Sequence, residues 1–169
     1  MSQENLILHL LIKFLHKTHI MDSLDYLIDH RQIVHLINTL FLSIDEKEWE
    51  NVKDCFAPDV KFDISKISGH QEEILSPDKI VEQWKNDLKN IDAVHHQTGN
   101  YTVTLAGIRA EIACTGYSIQ YRANGQGGGN TLTHYGSYHF HMIRGLEEWK
   151  IDKLKFQVKF YDGNKDLGK

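Results

Sequence analysis

The spacing of the apolar residues changes once along the chain, and this change constrains the fold more than any other feature. Apolar residues before Val94 recur at helical intervals, whereas from Tyr101 to Phe160 they alternate with polar residues as they do in β-strands. Helices followed by a series of strands are typical of α+β domains, in which helices pack on one face of an antiparallel sheet. The sequence therefore predicts an α+β domain whose strongly curved sheet, closed by helices, encloses an interior.

The helical part predicts three helices, with one short strand between the second and the third. Ser23 caps the first helix, and a capping-box pattern of Ser43 and Glu46 restarts the second helix after a sharp turn. Ser76 and Pro77 mark the start of the third helix, since proline favours the first helical position. The first helix is predicted from Ser23 to Ile44, the strand over 60–64 and the third helix over 77–88; the second helix carries Trp49, Val52 and Phe56 and ends at residues 57–59.

The second part of the chain predicts an antiparallel meander of about four strands. Residues 106–108 form a short hairpin connection, and the glycine-rich segment 124–130 forms a looser turn. That segment lacks the lysine that a phosphate-binding loop needs and does not precede a helix, so we expect it to be a hairpin tip. The predicted strands span 101–105, 109–121, 131–144 and 149–160.

The N-terminal residues form a separate segment. The apolar run from Leu6 to Ile12 resembles the core of a signal peptide, but polar residues interrupt it, no small-residue cleavage site follows, and it is too short to span a membrane. We therefore expect residues 1–20 to be a helical extension. One domain over residues 21–160 and a polar tail over residues 161–169 follow.

Composition and charge argue against several classes of partner. A net charge of -4 and a pI near 6.2 leave no basic surplus for a nucleic-acid backbone. Cys55 and Cys114 lie far apart and have neither metal-ligand nor redox spacing, so we expect two buried, reduced thiols as in cytosolic proteins. We therefore expect a cytoplasmic protein that binds neither nucleic acid nor a membrane.

Two adjacent histidines, His95 and His96, lie where the long strands begin. An imidazole titrates near neutral pH, so a histidine oriented by a carboxylate is the commonest general base in enzymes. Consecutive side chains of a strand point to opposite faces, so only one of the two faces the interior, and a register shift of one residue would exchange them. We expect His96 to face inwards and His95 to face solvent or a helix.

Four short motifs follow one another along the chain: Asp45-Glu46-Lys47-Glu48-Trp49, Phe56-Ala57-Pro58-Asp59-Val60, His96-Gln97-Thr98-Gly99-Asn100 and Glu148-Trp149-Lys150-Ile151. Over nearly all of residues 22–160, these motifs and the order of the predicted elements resemble the SnoaL-like family of the NTF2-like superfamily, the group of scytalone dehydratase and lindane dehydrochlorinase. The resemblance implies an NTF2-like cone, with about three helices on the concave face of an antiparallel or mixed sheet. The extra N-terminal helix is an addition to that fold.

The resemblance also implies a catalytic pair. In catalytic members of the family, an aspartate at the end of the first helix orients a histidine at the start of the long strands, and the matching residues here are Asp45 and His96. The carboxylate would accept a hydrogen bond from one ring nitrogen and leave the other free to take a proton from a carbon acid. Such a reaction needs no cofactor, and the spacing of His134, His139 and His141 is not a specific metal signal, so we expect neither a cofactor nor a metal.

A substrate pocket follows from the same resemblance, but with part of its machinery replaced. Two tyrosines of the family's pocket correspond to Ile44 and Ile64 here, and a second catalytic histidine corresponds to Ser118, so most of the electrophile is lost. Either face of the strand over residues 131–144 could line the pocket, since the residues on its other face form a good core stripe. The residues expected to contact substrate are Ile64, Trp84, Tyr117, Ser118, Ser137 and His139.

Two functions stay open on these observations. The first is a cofactor-independent lyase or isomerase that acts on a small hydrophobic or polyketide-like molecule, with Ser137, His139 or Tyr117 stabilising charge on a substrate oxygen. The second is a non-catalytic cone that binds a small hydrophobic molecule or serves as an association module, which accounts for the lost tyrosines. The resemblance implies a homodimer or a homotrimer in either case.

Overall fold

The structure is a computed structural model that describes residues 3–64, 72–123, 129–146 and 148–168, with side chains from Ser23 onwards. The chain divides into two compact units, Met1–Ile33 and Val34–Lys169. The first unit is helical in its described part. The glycine-rich turn predicted over residues 124–130 lies mostly outside the described residues.

Within the described residues the chain has three helices, and the second unit contains a six-stranded sheet. The sheet is strongly curved and open, with the strand order β2-β1-β6-β5-β4-β3, and its neighbours are antiparallel except for the parallel pair β1 and β6. The predicted α+β class and the meander of the last four strands are therefore confirmed. The elements are α1 (Gln3–Asp45), α2 (Trp49–Asp54), β1 (Phe56–Asp63), β2 (Glu73–Leu75), α3 (Pro77–Asp87), β3 (Ala93–Ala106), β4 (Arg109–Tyr121), β5 (Thr131–Arg144) and β6 (Trp149–Gly163).

Two predicted helix signals are wrong. Helix α1 runs through Ser23 without interruption, because the sequence before Pro58 contains neither glycine nor proline to stop it. The capping box of Ser43 and Glu46 does not start α2, whose N-cap position is occupied by Glu48.

The start of β1 also differs from its prediction. Phe56 was expected in the second helix but begins β1, and Pro58 lies inside the strand. The pairing of β1 with β6 shifts in register between Phe56 and Lys61, so this part of the ladder does not need the N–H group that proline lacks.

Helix α3 packs on β1 through Trp84. The indole ring lies 5.5 Å from the ring of Phe62 and 6.1 Å from that of Phe56, measured between centroids. Ile80 and Val81 on the same helix are buried. Ser76 and Pro77 occupy the predicted N-cap and first positions, so the predicted start of this helix is confirmed.

Strands β3 and β6 are longer than the sequence predicted. Strand β3 begins at Ala93 rather than Tyr101, because a bulge inside it, between Gly99 and Thr102, interrupts the alternation; Asn100 there has a φ of 56°. Strand β6 continues to Gly163, and Leu167 beyond it is only 1% exposed. The end of the chain is therefore packed against the domain.

Two glycines face each other across the centre of the sheet, Gly116 on β4 and Gly136 on β5. A Cβ atom on Gly136 would lie 2.4 Å from the carbonyl oxygen of Gln157 and 2.7 Å from a ring carbon of Phe156. A Cβ on Gly116 would lie 2.4 Å from the carbonyl oxygen of Gln97. The neighbouring strands therefore approach more closely here than any side chain would allow.

Candidate functional site

Asp45 and His96 are in direct contact, although 51 residues separate them in the sequence. Oδ1 of Asp45 lies 2.6 Å from Nδ1 of His96, and Oδ2 accepts a hydrogen bond of 2.8 Å from the backbone N–H of the same residue. The Asp45 side chain is 9% exposed and that of His96 is 13% exposed. The carboxylate therefore fixes both the backbone and the ring of His96.

The local structure at the end of α1 gives Asp45 its position. The helix ends in a Schellman motif, in which the N–H groups of Lys47 and Glu48 donate to the carbonyls of Ile44 and Ser43 at 3.1 and 2.8 Å. Lys47 takes the left-handed conformation of that motif, with a φ of 58°. This turn leaves Asp45 as the last helical residue.

A carboxylate at the C-terminal end of a helix faces the negative end of the helix dipole, an arrangement that costs about 0.3–1 kcal/mol. Asp45 therefore stabilises neither α1 nor, as a cap, α2. The two hydrogen bonds to His96 offset this cost. The side chain of Lys47 donates to the carbonyl of Ile91, just before β3, and so ties the helix end to the strand that carries His96.

The ring of His96 is covered on one side by Phe41, with 4.9 Å between centroids and 24° between the ring planes. A neutral imidazole that donates from Nδ1 to a carboxylate has its lone pair on Nε2. His95 points away from the interior and is 63% exposed, but its Nδ1 lies 3.6 Å from Oδ2 of Asp45. The Asp45–His96 pair can therefore present one basic nitrogen, Nε2 of His96.

His96 lies in the wall of a cavity of about 500 Å³ in the second unit. Apolar side chains from α1, α3 and the sheet form most of this wall: Phe41, Ile44, Ile64, Trp84, Leu154 and Phe156. Polar and charged side chains form the rest of the wall, on β3 to β5 and at and beyond the ends of α3 and β6: His96, Ser118, Gln120, His134, Tyr138, Asn86, Asp87, Lys89 and Lys165. The cavity therefore suits a small molecule that combines apolar surface with polar groups.

The structure brings some of the predicted pocket residues to this cavity and keeps others away from it. Ile64, Trp84 and Ser118 line the cavity together with His96. Tyr117, Ser137 and His139 do not line it, which corrects the expectation from the sequence. Strand alternation is the reason: these three side chains share the opposite face of the sheet, where Tyr117 donates to Oε1 of Gln97.

His134 and Gln120 are polar cavity residues that the sequence did not single out for the site. His134 is 8% exposed, and its Nδ1 is buried without a hydrogen-bond partner among the described residues. Such a group ordinarily costs about 1–3 kcal/mol. Burial lowers the pKa of His134, and the nearby His96 lowers it further, so the ring is neutral near pH 7. His134 shares a face of β5 with Tyr138, but the sequence alone does not show which of the two faces lines the cavity.

Other titratable groups near the cavity stay in their neutral forms. Burial raises the pKa of the Tyr138 hydroxyl, which therefore remains a hydrogen-bond donor. Burial also raises the pKa of the Cys55 thiol to about 11 and that of Cys114 to about 12. In the described part of the chain both thiols are buried and neither forms a disulfide, as predicted.

Another Asp–His pair lies on the opposite face of the sheet. Nδ1 of His141 is 2.5 Å from Oδ1 of Asp152, and these side chains are 25% and 26% exposed. His141 borders a shallower depression with Glu111, His139 and Lys153. No group of three or more His, Cys, Asp or Glu side chains within the described residues is arranged to hold a metal ion.

None of the helices in the described part of the chain combines the length and the apolar character needed to cross a membrane.

Comparison with curated proteins finds no match by sequence.

Several solved structures share the fold. The Kfla4162 protein of Kribbella flavida has 17% identity and a TM-score of 0.78, over 83% of this chain and 97% of its own. A candidate scytalone dehydratase from Novosphingobium aromaticivorans has 12% identity and a TM-score of 0.71, over 81% and 88%. The hexachlorocyclohexane dehydrochlorinase LinA-type3 from Novosphingobium barchaimii has 13% identity and a TM-score of 0.71, over 84% and 94%.

At these identities the likeness concerns the fold, and it confirms the NTF2-like architecture expected from the sequence. The family model of the SnoaL-like domain matches residues 25–155, most of the chain. The chain therefore belongs to the SnoaL-like domain family.

Proposed function

We propose that the protein is a cofactor-independent lyase or isomerase in which His96, oriented by Asp45, removes a proton from a carbon atom of a small hydrophobic substrate. The observation that carries this proposal is the Asp45–His96 pair, whose histidine lies in the wall of a cavity of about 500 Å³. Family membership supports the fold in which such a pair can act, but it leaves the chemistry open because one fold hosts many functions.

The chemical step uses the two ring nitrogens differently. Nδ1 donates to Asp45, which holds the tautomer and orients the ring, so Nε2 can accept the proton. When Nε2 takes the proton, the imidazolium charge is stabilised by the Asp45 carboxylate 2.6 Å away. Phe41 excludes water from one face of the ring. A positioned base of this kind contributes about 10²–10⁴-fold to a rate.

The alternative is a protein that binds a small hydrophobic molecule without acting on it. Two observations support it: Ile44 and Ile64, at positions where catalytic members carry tyrosines, line the cavity and offer no hydrogen bond to a substrate. A ligand that binds the native state stabilises it by mass action, whichever of the two functions is correct. Binding that survives replacement of both Asp45 and His96, with no turnover in the wild type, would favour this alternative.

The test is the exchange of acidic protons of ketones for deuterium, followed by 1H NMR in D₂O with 2-tetralone as the first probe. We expect the wild-type protein to accelerate the loss of the α-proton signals over buffer. His96→Ala should lower the rate at least about 100-fold, because the base is removed. Asp45→Asn should give an intermediate rate, because the amide orients the ring without stabilising its positive charge.

The other Asp–His pair supplies the matched controls. Asp152→Asn and His141→Ala change the same residue types outside the cavity and should leave the exchange rate within about twofold of the wild type. If the wild type exchanges no ketone of a panel faster than buffer, or if His96→Ala exchanges as fast as the wild type, the proposal is wrong. The homodimer or homotrimer implied by the family resemblance remains a prediction for light scattering.

A further inference from the structure

The cavity meets solvent at one end, which is called the cavity mouth below. Most residues of the cavity wall are buried or half-buried, and the exposed ones lie together, at the end of helix α3 and in the segment after β6. A molecule that fills the cavity would therefore contact buried side chains at one end and exposed ones at the other. The exposed wall residues, which define the cavity mouth, are Asn86, Asp87, Lys89, Lys165 and Gly168.

The strands show how near His96 is to the end of the sheet on the side of the mouth. Val94, two residues before His96, pairs with Gln120, and Gln120 pairs with Leu132. These three residues line the cavity in its last row at this end of the strands. Two residues of a strand span about 7 Å, so a molecule with two fused rings is long enough to reach from His96 past this row.

The segment after β6 holds its part of the mouth in a fixed position. Leu167 is only 1% exposed, and its carbonyl accepts a hydrogen bond of 3.1 Å from Nη1 of Arg122. The carbonyl of Gly168 accepts one of 2.9 Å from Nδ2 of Asn90, the residue that follows Lys89. The two segments that carry the lysines of the mouth are therefore joined to each other by a direct hydrogen bond.

Neither lysine of the mouth forms an ion pair within the described residues. Nζ of Lys89 donates to Oδ1 of Asn86 at 3.4 Å, and Nζ of Lys165 lies 4.1 Å from the ring centroid of Tyr161. Asp87 is the acidic residue of the mouth. At neutral pH the mouth thus carries two ammonium groups and one carboxylate, a net positive charge in a chain whose own net charge is -4.

We propose that the cavity binds a small carboxylic acid as its anion, with the carboxylate at the mouth between Lys89 and Lys165 and the apolar part of the molecule beside His96. This inference rests on the proposed function in taking the cavity as the place where the substrate binds. It adds a charged group that the substrate carries, and two residues that select for this group.

A carboxylate matches the mouth better than a more highly charged group does. Its single negative charge equals the net positive charge of the two lysines and Asp87, whereas a phosphate monoester carries nearly two charges at neutral pH. The rest of the molecule must be apolar, because side chains such as Phe41, Trp84 and Phe156 form the inner wall.

The test compares the binding of 2-naphthylacetate with that of 2-naphthylacetamide, which has the same shape but no charge. We expect the wild type to bind the acid about tenfold more tightly than the amide at low salt, measured by calorimetry, because two exposed ion pairs together contribute about this factor. In 0.5 M NaCl the preference should fall below about threefold, since salt screens exposed charges.

Variants of the mouth should change the preference in opposite directions. The double variant Lys89→Gln/Lys165→Gln should bind acid and amide equally, with an affinity for the amide within about twofold of the wild type. The unchanged affinity for the amide distinguishes a lost charge contact from a damaged cavity. Asp87→Asn removes the negative charge of the mouth and should raise the preference for the acid about threefold.

Lys85 supplies the matched control. It lies on α3 four residues before Lys89, and its Nζ lies 5.8 Å from the ring centroid of Trp49, so it contacts an aromatic ring as Lys165 does. In the described structure it is not part of the cavity wall. Lys85→Gln should therefore retain the whole preference for the acid.

The outcomes separate this inference from the proposed function, because binding is measured without turnover. Equal affinities for acid and amide in the wild type, or a preference that survives in the double lysine variant, would overturn the inference even if ketones are exchanged. A preference that disappears in the double variant while no ketone is exchanged would support the acid site and count against the proposed base.

Discussion

The protein holds the same side-chain contact in two environments. The Asp45–His96 and Asp152–His141 pairs have nearly equal distances between carboxylate oxygen and Nδ1, 2.6 and 2.5 Å. The first pair is about a tenth exposed and its histidine lines the cavity, whereas the second is about a quarter exposed and lies on the other face of the sheet. A hydrogen bond between aspartate and histidine therefore does not by itself mark a functional site. The Asp45–His96 pair differs from the other pair in the cavity that its histidine lines.

The two pairs also differ in what the carboxylate holds. Asp45 binds the backbone N–H of His96 as well as its ring, across a separation of 51 residues. Asp152 reaches His141 across 11 residues, between adjacent strands of one hairpin. The Asp152–His141 contact needs only the hairpin of β5 and β6, whereas the Asp45–His96 contact depends on the packing of the end of α1 against β3.

The largest expected difference between the two pairs is in stability. Asp45→Ala leaves two donors of His96 without a partner in a nearly dry site, and relief of the helix dipole offsets only part of that loss. We expect it to lower the free energy of unfolding by about 3 kcal/mol, and Asp152→Ala by less than about 1 kcal/mol. Urea unfolding followed by circular dichroism measures both, and equal losses would mean that the two environments do not differ as described.

A smaller effect is expected from the aromatic cover, which only the cavity pair has in the described structure. Phe41→Leu keeps an apolar side chain but removes the stacking on His96, so we expect a loss of about 1 kcal/mol. In NMR spectra the ring protons of His96 should move downfield when the ring current of Phe41 is lost. The signals of His141 should not move; a shift of both rings would indicate a wider rearrangement instead.

The smallest effect concerns pH and sharpens the contrast between the two faces of β5. The pKa of His134 is lower in the folded state than the ordinary value near 6.5, so below that pH the unfolded chain binds more protons and stability falls as pH falls. His134→Gln should therefore lose less stability than the wild type between pH 7.5 and about 5.5. His139→Gln on the other face should lose as much as the wild type does.

Urea midpoints at the two pH values provide the measurement. The same loss in His134→Gln as in the wild type would show that the acid sensitivity arises elsewhere.

The sequence predicted the class of fold because alternation and helical spacing are local patterns. The meander from β3 to β6 and the start of α3 at Pro77 follow from them. The end of α1 was predicted to within one residue, at Ile44 instead of Asp45, but its Schellman motif could not be predicted, since it places a lysine, Lys47, in a conformation usually taken by glycine. The cap assigned to Ser43 failed for the same reason.

The site was predicted in part. The proximity of Asp45 and His96 was expected only from the resemblance, because nothing local in the sequence links residues so far apart. The choice of face on β5 could not be made from alternation alone, since both faces of that strand carry histidine and aromatic side chains. Contacts of Phe41 with Tyr138 and Phe140 decide it, and these depend on how α1 packs on the sheet.

Strand β3 is the terminal strand at one side of the described sheet, so the backbone groups on its outer side have no neighbouring strand. A free edge of this kind is a template to which another polypeptide can add. One of its N–H groups, that of His96, is occupied by the Asp45 carboxylate. The residue that orients the ring therefore also closes part of an edge against self-association, so loss of Asp45 would show in the yield of soluble protein.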